Sequence, residues 1–300
     1  MTKALRFHWN NFLKYRFLLK EIVRKNVRLQ YRDSWLGMAW TMLQPLLFSL
    51  VLAFVFSVLF KRSDVGGVPF FVYLLSGRLM FSFFSDSTQR AMRSVRQNAG
   101  ILKKVYVPKY IYPMGNIIST FITFLFSLVV LVVIVIYYDI HGGTVQGIHY
   151  DHFSFGLHKR VLFAVVPVVI LLVLSMGVGL LLSSISVFFK DTEFIYSVLC
   201  QLLMYFTPIF YSAKEVQIGG GDIASWQTEL LKKILRANPL YGIITIFRNS
   251  IFCSPGQIVT EFPGYYSFAQ LAYTSGFAIV MLIVGSFVFY KVQDKFILHL

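Results

Sequence analysis

The sequence predicts an all-α integral membrane protein that forms one domain, residues 1–300, with six transmembrane helices. Hydrophobic residues make up 57% of the chain and charged residues 14%, with a mean hydropathy of +0.67, which is too apolar for a soluble domain of this length. Most apolar residues lie in long runs with few or no charges, as expected of helices that cross a hydrocarbon core of about 30 Å. The net charge is +15, but Lys and Arg are concentrated between the apolar runs. Membrane topology, and not nucleic-acid binding, therefore accounts for them.

The N-terminal segment, residues 1–34, is predicted to be an amphipathic helix that lies along the cytoplasmic surface of the membrane. Its Lys and Arg residues, Arg28 and Arg32 among them, far outnumber its acidic residues, and its apolar residues recur at helical spacing. Residues 35–60 follow without a charge and are predicted to form span one.

Span two, residues 65–87, leads into a basic stretch that is predicted to form a short helix on the cytoplasmic side. Residues 90–113 contain no Asp or Glu, and their cations are Arg90, Arg93, Arg96, Lys103, Lys104 and Lys109. The apolar residues of this stretch fall three or four apart, as on one face of a helix, and Pro108 ends the pattern. Such a helix lies at a membrane surface or docks on a partner protein, and its charge favours the cytoplasmic side.

Arg78 departs from the usual composition of a membrane span. It lies about 20 Å along a helix that begins at Val65, at ~1.5 Å per residue, and a lone cation at that depth costs about 3 kcal/mol on insertion scales. Asp86 is about 12 Å further along the same helix, beyond the reach of a direct salt bridge. We therefore expect Arg78 to be hydrated and to face the central cavity of a dimer. The alternative is that its side chain extends to the membrane surface.

The remaining spans follow from the same criteria. Span three is residues 110–138, span four is residues 161–189, span five is residues 194–213 with Pro208 inside it, and span six is residues 262–290. Six spans place both termini on one side of the membrane. The excess of Lys and Arg in the N-terminal segment and the basic stretch places that side in the cytoplasm.

The long external loop between spans five and six is predicted to contain two short helices. Residues 226–236 are amphipathic, and residues 240–252 form an apolar run that Arg248 interrupts and that is too short to cross the membrane. Two re-entrant or interfacial helices joined by Asn238-Pro239 account for this pattern.

The chain lacks the motifs of an enzyme or a motor. It has no phosphate-binding G-x-x-x-x-G-K-[ST] loop, no facing pair of acidic residues within the spans, and no G-x-S-x-G or H-E-x-x-H motif. His149 and His152 could share a helical face as zinc ligands, but their Gly-rich context favours an ordinary loop, and no metal site is predicted. Cys200 and Cys253 do not support a disulfide framework. A non-catalytic conduit that depends on a separate motor is therefore predicted.

Motifs spread over nearly the whole chain resemble one known family. The first two are Tyr31-Arg32-x-Ser34-x-Leu36-Gly37-x-x-Trp40-x-x-x-x-Pro45 and Asn98-Ala99-Gly100-x-Leu102-Lys103-Lys104-Val105-Tyr106-x-Pro108. The others are Val187-Phe188-Phe189-Lys190-Asp191, Thr207-Pro208-Ile209-x-Tyr211 and Asn238-Pro239-Leu240 with Arg248. In this order they resemble the permease subunit of bacterial ABC exporters for lipid-linked polysaccharides, the family that includes O-antigen and teichoic acid translocation permeases. Lys190 departs from the family, which more often has Arg there.

The resemblance implies a homodimer of permeases in the bacterial plasma or inner membrane, with two copies of a separate ATPase subunit beneath it. ATP and Mg²⁺ would be bound by the ATPase, and this chain would carry no cofactor. The cargo would be a polysaccharide or teichoic acid on an undecaprenyl pyrophosphate type of lipid, admitted sideways between spans one and five. Two alternatives stay open: a permease for another cargo, such as a drug or a small lipid, and a membrane enzyme that acts on a lipid-linked sugar.

The resemblance also assigns candidate site residues. The basic stretch becomes a coupling helix that docks on the ATPase together with the turn before span five, through Asn98, Leu102, Lys103, Lys104, Lys190 and Asp191. Candidates for the path of the lipid pyrophosphate or the glycan are Arg28, Arg32, Arg78, Trp40, Phe84, Tyr205 and Tyr211. Arg matches phosphate geometry, and aromatic rings offer faces for stacking. The simpler roles are topology anchors, cations that hold anionic lipid at about 1 kcal/mol each, and rings that pack or face lipid.

Overall fold

The structure is a computed structural model, and it describes residues 2–31, 35–37, 39–60, 64–65, 68–104, 107–141, 144–145, 148–149, 161–211, 225–252 and 268–299. Nearly all of these residues are helical, which confirms the all-α class. The helices are α1 (Thr2–Tyr31), α2 (Ala39–Phe60), α3 (Phe70–Gln97), α4 (Ala99–Leu102), α5 (Ile111–His141), α6 (Val165–Phe188), α7 (Thr192–Phe206), α8 (Ser225–Ala237), α9 (Pro239–Phe252), α10 (Phe268–Val292) and α11 (Phe296–His299). Short antiparallel hairpins pair β1 (Asp64–Val65) with β2 (Val68–Pro69) and β3 (Thr144–Val145) with β4 (Ile148–His149), and 3₁₀ turns occupy Val161–Ala164 and Gln293–Lys295.

Four helices in the described part of the chain are long and apolar enough to cross a membrane. They are α2, α5, α6 with the 3₁₀ turn before it, and α10, over residues 39–56, 111–137, 162–188 and 268–295. These correspond to predicted spans one, three, four and six. The helices at predicted spans two and five fall short, because charged residues interrupt α3 and α7 has only 15 residues. The structure thus supports a multi-pass membrane protein, while the six-span layout stays a prediction.

Predicted span five, residues 194–213, ends earlier in the structure. α7 ends at Phe206, because a residue that precedes proline is disfavoured in the helical conformation. Thr207 accordingly has an extended backbone with ψ of 124°, and Pro208 follows it in a turn. At ~1.5 Å per residue α7 is about 22 Å long, which is shorter than the ~30 Å hydrocarbon core.

The predicted short basic helix is not a separate element. α3 runs for 28 residues without interruption, so predicted span two and the first part of the basic stretch form one helix of about 42 Å. Asn98 ends α3, and its side-chain amide donates to the Ser94 carbonyl at 2.8 Å. The coupling helix expected from the sequence is reduced to the four-residue α4 and the turn after it.

Three apolar side chains in the described part of the basic stretch, those of Met92, Val95 and Leu102, face the interior of the protein. Met92 and Val95 are fully buried, and the Ser186 hydroxyl of α6 donates to the Met92 carbonyl at 2.7 Å. Val95 and Leu102 belong to a hydrophobic cluster that also contains Phe296 of α11. These side chains therefore pack within the protein itself, and docking of the basic stretch on a partner stays a prediction.

α3, α5, α6, α9 and α10 form the packed centre of the protein. α6 and α10 cross in close contact, since a Cβ on Gly285 would lie 2.1 Å from the Gly177 carbonyl oxygen. Only glycine permits such a crossing. α9 packs against α3, α6 and α10, and residues 240–250 are all buried.

α1, α2 and α7 lie at the edges of this centre. α1 packs along the first turns of α5, where Ile22 contacts Gly115 and the Asn26 amide donates to the Asn116 side chain at 3.3 Å. Gly37 makes the turn between α1 and α2 with a φ of 51°, which residues with a Cβ rarely adopt. α2 and α7 expose rows of large apolar side chains, as helices in contact with lipid do.

Candidate functional site

A polar cavity of about 230 Å³ lies between the end of α1 and helices α2, α3 and α5. α3 supplies Arg78, Ser82, Asp86 and Arg90 to its lining. These residues are four apart and therefore share one face of the helix. The cavity follows α3 for about 18 Å, at ~1.5 Å per residue.

Arg78 lies where the cavity meets α7. Its guanidinium carbon is 4.5 Å from the centre of the Phe48 ring of α2, within the range of a cation–π interaction. Its Nη1 group donates to the Met204 sulfur of α7. Arg78 therefore joins the two helices that correspond to predicted spans one and five, and within the described ranges it forms no ion pair with a carboxylate.

Arg90 and Asp86 occupy the other end of the cavity. The Arg90 Nη1 group donates to the side-chain oxygen of Gln30, at the end of α1, at 3.0 Å. Asp86 is close enough to both Arg90 and Arg78 to interact with them electrostatically, yet it takes part in no ion pair among the residues that the structure describes. The α3 wall of the cavity thus carries two cations and one anion.

α5 forms the opposite wall of the cavity, and its hydroxyl groups already donate hydrogen bonds to backbone carbonyls. Thr120 and Thr123 donate to carbonyls of their own helix at 2.9 and 2.8 Å. Ser127 donates to the Thr41 carbonyl at 3.0 Å, which also fastens α2 to α5. The strongest donors left for a ligand are therefore the guanidinium groups on α3.

Two further residues predicted for a path, Arg28 and Trp40, lie outside the cavity lining. Arg28 is exposed on the last turn of α1, shortly before the cavity residue Gln30. Arg32 lies outside the described residues. Trp40 is 45% exposed on the first turn of α2.

The remaining predicted aromatic residues are one buried ring, one exposed ring on the last turn of α7 and one ring in the turn after α7. Phe84 is 5% exposed and packs in the main hydrophobic cluster, so in this conformation it cannot stack on a sugar. Tyr205 is 63% exposed and close enough to Arg78 to interact electrostatically. The Tyr211 hydroxyl donates to the Tyr205 carbonyl at 2.9 Å. Of the predicted path residues in the described ranges, the cavity lining contains Arg78.

The residues predicted to dock on an ATPase separate into exposed and buried groups. Lys103, Lys104, Lys190 and Asp191 are exposed and available to a partner. Leu102 is buried in a hydrophobic cluster with Val95, and Asn98 closes the end of α3, so both shape this segment from within.

An ion-pair cluster connects α3 to the turn before α7. Glu193, on the first turn of α7, forms ion pairs with Arg93, whose Nε lies 3.2 Å from its Oε2, and with Arg96. Both cations were expected to be part of a docking surface, but the structure uses them to hold two of its own helices together.

Lys109 connects the C-terminal tail to the segment before α5. Its Nζ group donates to the Gln293 carbonyl and lies 5.7 Å from the centre of the Phe296 ring. Desolvation by burial lowers the pKa of Lys109, and the nearby Asp294 carboxylate opposes that shift. The tail and the segment before α5 therefore form one packed unit.

Arg248 is a buried cation whose structural role the sequence does not reveal. It is 2% exposed on α9. Its guanidinium donates to four oxygen atoms, those of the Pro208, Tyr73 and Ile209 carbonyls at 2.8, 3.0 and 3.3 Å and of the Ser76 hydroxyl at 3.3 Å. It also lies 3.6 Å from the centre of the Tyr73 ring. Arg248 thus joins α9 to the start of α3 and to the turn after α7, and its one sequence signal is a cation inside a short apolar run.

The loop that contains His149 and His152, the two histidines considered as zinc ligands, falls mostly outside the described residues, and His152 is among the residues not described. Among the residues that the structure describes, no three His, Cys, Asp or Glu side chains are grouped closely enough to hold a metal.

Comparison with known proteins places these features in a wider setting. The sequence profile of a family described as "ABC-2 type transporter" matches residues 18–252. The chain is 27% identical over 282 residues, 93% of each chain, to an O-antigen export system permease protein RfbA of Klebsiella pneumoniae. It is 28% identical over 236 residues to the RfbA protein of Myxococcus xanthus, which covers 78% of this chain and 80% of the relative. The polysialic acid transport protein KpsM of Escherichia coli is 22% identical over 264 residues, 87% of this chain and 88% of its own.

Proposed function

This chain belongs to the ABC-2 type transporter family, and we propose that it is the membrane subunit of an ATP-driven exporter that moves a polysaccharide out of the cytoplasm. The observation that carries the proposal is the similarity to permeases of polysaccharide export, which extends over 93% of both chains in the alignment with RfbA. A match in one motif would indicate only a shared fold element. Similarity over the membrane helices and the loops together favours a shared task.

The cargo is proposed to be attached to a lipid of the undecaprenyl pyrophosphate type and to enter from the side. Two features support this route: α2 and α7 expose apolar surfaces suited to lipid, and both contact Arg78 at the edge of a polar cavity. An opening between these helices would let a charged head group reach polar surroundings while its hydrocarbon chain stays in the bilayer.

Two copies of the chain are proposed to form the export unit in the plasma or inner membrane, each bound to one ATPase subunit, with both termini in the cytoplasm. The exposed pairs Lys103–Lys104 and Lys190–Asp191 provide the docking surface. Because Glu193 ties the start of α7 to α3, displacement of this surface moves both helices together. The ATPase binds ATP and Mg²⁺, and this chain is non-catalytic.

Deletion of the gene followed by chemical analysis of the cell-surface glycan tests the proposal. The expected result is loss of a surface polysaccharide with retention of lipid-linked polymer inside the cell, reversed by a wild-type copy. An unchanged surface glycan with altered drug resistance or lipid content would assign another cargo. A lipid-linked sugar that changes in structure, and not in location, would indicate an enzyme.

A further inference from the structure

We infer that the cavity between α2, α3 and α5 binds the phosphate-bearing head group of the lipid carrier, with Arg90 and Arg78 as two successive contact points. The inference rests on the proposed export function and deepens it, because it assigns the head group of the cargo to a defined set of side chains. It also gives Arg90 a role inside the cavity in place of the partner docking expected from the sequence.

The two guanidinium groups of the cavity have weak partners. Arg90 contacts the neutral amide of Gln30, and Arg78 contacts the Phe48 ring and the Met204 thioether. A guanidinium binds a phosphate through two parallel charge-assisted hydrogen bonds, which are about twice as strong as bonds between neutral groups. Both groups therefore gain more from an anionic ligand than from their present contacts.

The size of the cavity selects a head group over a polymer. Its volume of about 230 Å³ lies below the ~300–1,000 Å³ of pockets that hold drug-sized ligands. One phosphate or diphosphate fits such a space, whereas a chain of several sugars does not. The glycan must then follow a wider route, which two copies of the chain would form between them.

The position of the cavity favours a lipid head group over a free anion. The cavity is bounded by α2, whose outer surface is apolar and exposed, and it reaches α7 at Arg78. Val51 of α2 and Phe206 of α7 are among the large apolar side chains that these two helices expose. A phosphate at Arg78 can therefore remain attached to a hydrocarbon chain that lies in the bilayer beyond these helices.

Asp86 keeps the site from holding the head group too firmly. Arg78 and Arg90 are about 18 Å apart along α3, so a diphosphate of a few ångströms contacts one of them at a time. Asp86 lies one helical turn from Arg90 and interacts electrostatically with both cations. Transport requires binding that is favourable enough for entry and weak enough for release, and a carboxylate between two cations provides that balance.

A protection experiment tests the site. The permease, in complex with its ATPase in lipid nanodiscs, carries Ser82→Cys in the cavity, with Cys200→Ala and Cys253→Ala to remove background thiols. The rate of alkylation by a water-soluble maleimide is measured with undecaprenyl pyrophosphate, with the neutral lipid undecaprenol, or with inorganic pyrophosphate. At a ligand concentration of about ten times the Kd, the free fraction and hence the rate fall about tenfold.

We expect protection by undecaprenyl pyrophosphate and none by undecaprenol. Arg90→Gln and Arg78→Gln should each weaken protection and together abolish it, while Arg24→Gln, at an exposed cation of α1 paired with Glu21, should leave it intact. Equal protection by inorganic pyrophosphate would assign a free anion and overturn the lipid assignment. No protection, or protection that survives both cavity substitutions, would overturn the site. Surface-glycan analysis of the deletion strain is independent of this readout, so export can stand even if the site fails.

Discussion

Replacing Arg248 with Met is expected to loosen α9 without opening a large void, because both side chains are long and unbranched. The substitution removes a guanidinium that donates to the Tyr73, Pro208 and Ile209 carbonyls. The region is closed to solvent, since Arg248 itself is fully buried, and Met cannot replace the lost donors. Three elements then lose a shared attachment: α9, the start of α3 and the turn after α7.

The contacts of Arg248 set the size of the effect on the free energy of unfolding. Hydrogen bonds in membrane proteins contribute ~0.6 kcal/mol on average and up to ~1.7 kcal/mol, so the four contacts together amount to about 2 to 7 kcal/mol. The cation–π contact with Tyr73 adds about 2 kcal/mol when desolvated. Met avoids the desolvation of a buried cation, which offsets the loss by several kcal/mol. We expect a net loss of about 3 kcal/mol.

Unfolding by sodium dodecyl sulfate in lipid bicelles measures this loss. Arg248→Lys should be intermediate, because an ammonium keeps the charge but not the planar fork of donors. Arg24→Met is the matched control, since Arg24 is exposed, and its effect should stay within about 0.5 kcal/mol. If Arg248→Met unfolds at the same detergent fraction as the wild type, packing alone holds α9 and the argument from its hydrogen bonds is refuted.

The remaining predictions concern coupling and transport. Lys103→Glu with Lys104→Glu should reduce copurification of the ATPase and export while insertion stays normal, because both side chains are exposed; normal copurification and export would exclude docking there. Cysteines in place of Phe48 and Met204, which contact the same guanidinium, should cross-link with a short reagent in the resting state and block export. Efficient cross-linking with unimpaired export would rule out an opening between α2 and α7. Arg78→Leu should insert and assemble but lower the surface glycan, with Arg78→Lys retaining part of it; a fully active Leu variant would show that the cation is dispensable.

Hydropathy was a good guide to the four long apolar helices and a poor one to helix ends. An uncharged run in lipid satisfies its backbone hydrogen bonds by forming a helix. α5 accordingly occupies Ile111–His141, where residues 110–138 were predicted. Hydropathy falls sharply at Arg90, yet α3 continues to Gln97, because the hydrogen bonds of a helix form equally well outside the hydrocarbon. The end of α7 could have been placed at Phe206 from Pro208 alone.

The candidate site was accessible from the sequence in part. Arg78 could be singled out because a charge within an apolar run has a known cost. Arg90 could not, since a cation beside other cations gives no sign that it turns into a cavity. The sequence showed Arg248 as a charge within an apolar run, but its partners are mainly backbone carbonyls on α3 and after α7. Every residue has a backbone carbonyl, so the sequence does not indicate which carbonyls Arg248 contacts.

Because α3 is uninterrupted, the direction in which Arg93 and Arg96 point is fixed relative to the direction in which the cavity residues of the same helix point. Each residue inserted between Ser82 and Arg93 would turn the rest of the helix by about 100° and advance it by ~1.5 Å. A single insertion would leave Arg78 in place and point Arg93 and Arg96 away from Glu193. An insertion of seven would nearly restore their direction but displace them by about 10 Å. The number of residues along this part of α3 is therefore as constrained as their identity, although no individual residue carries the constraint.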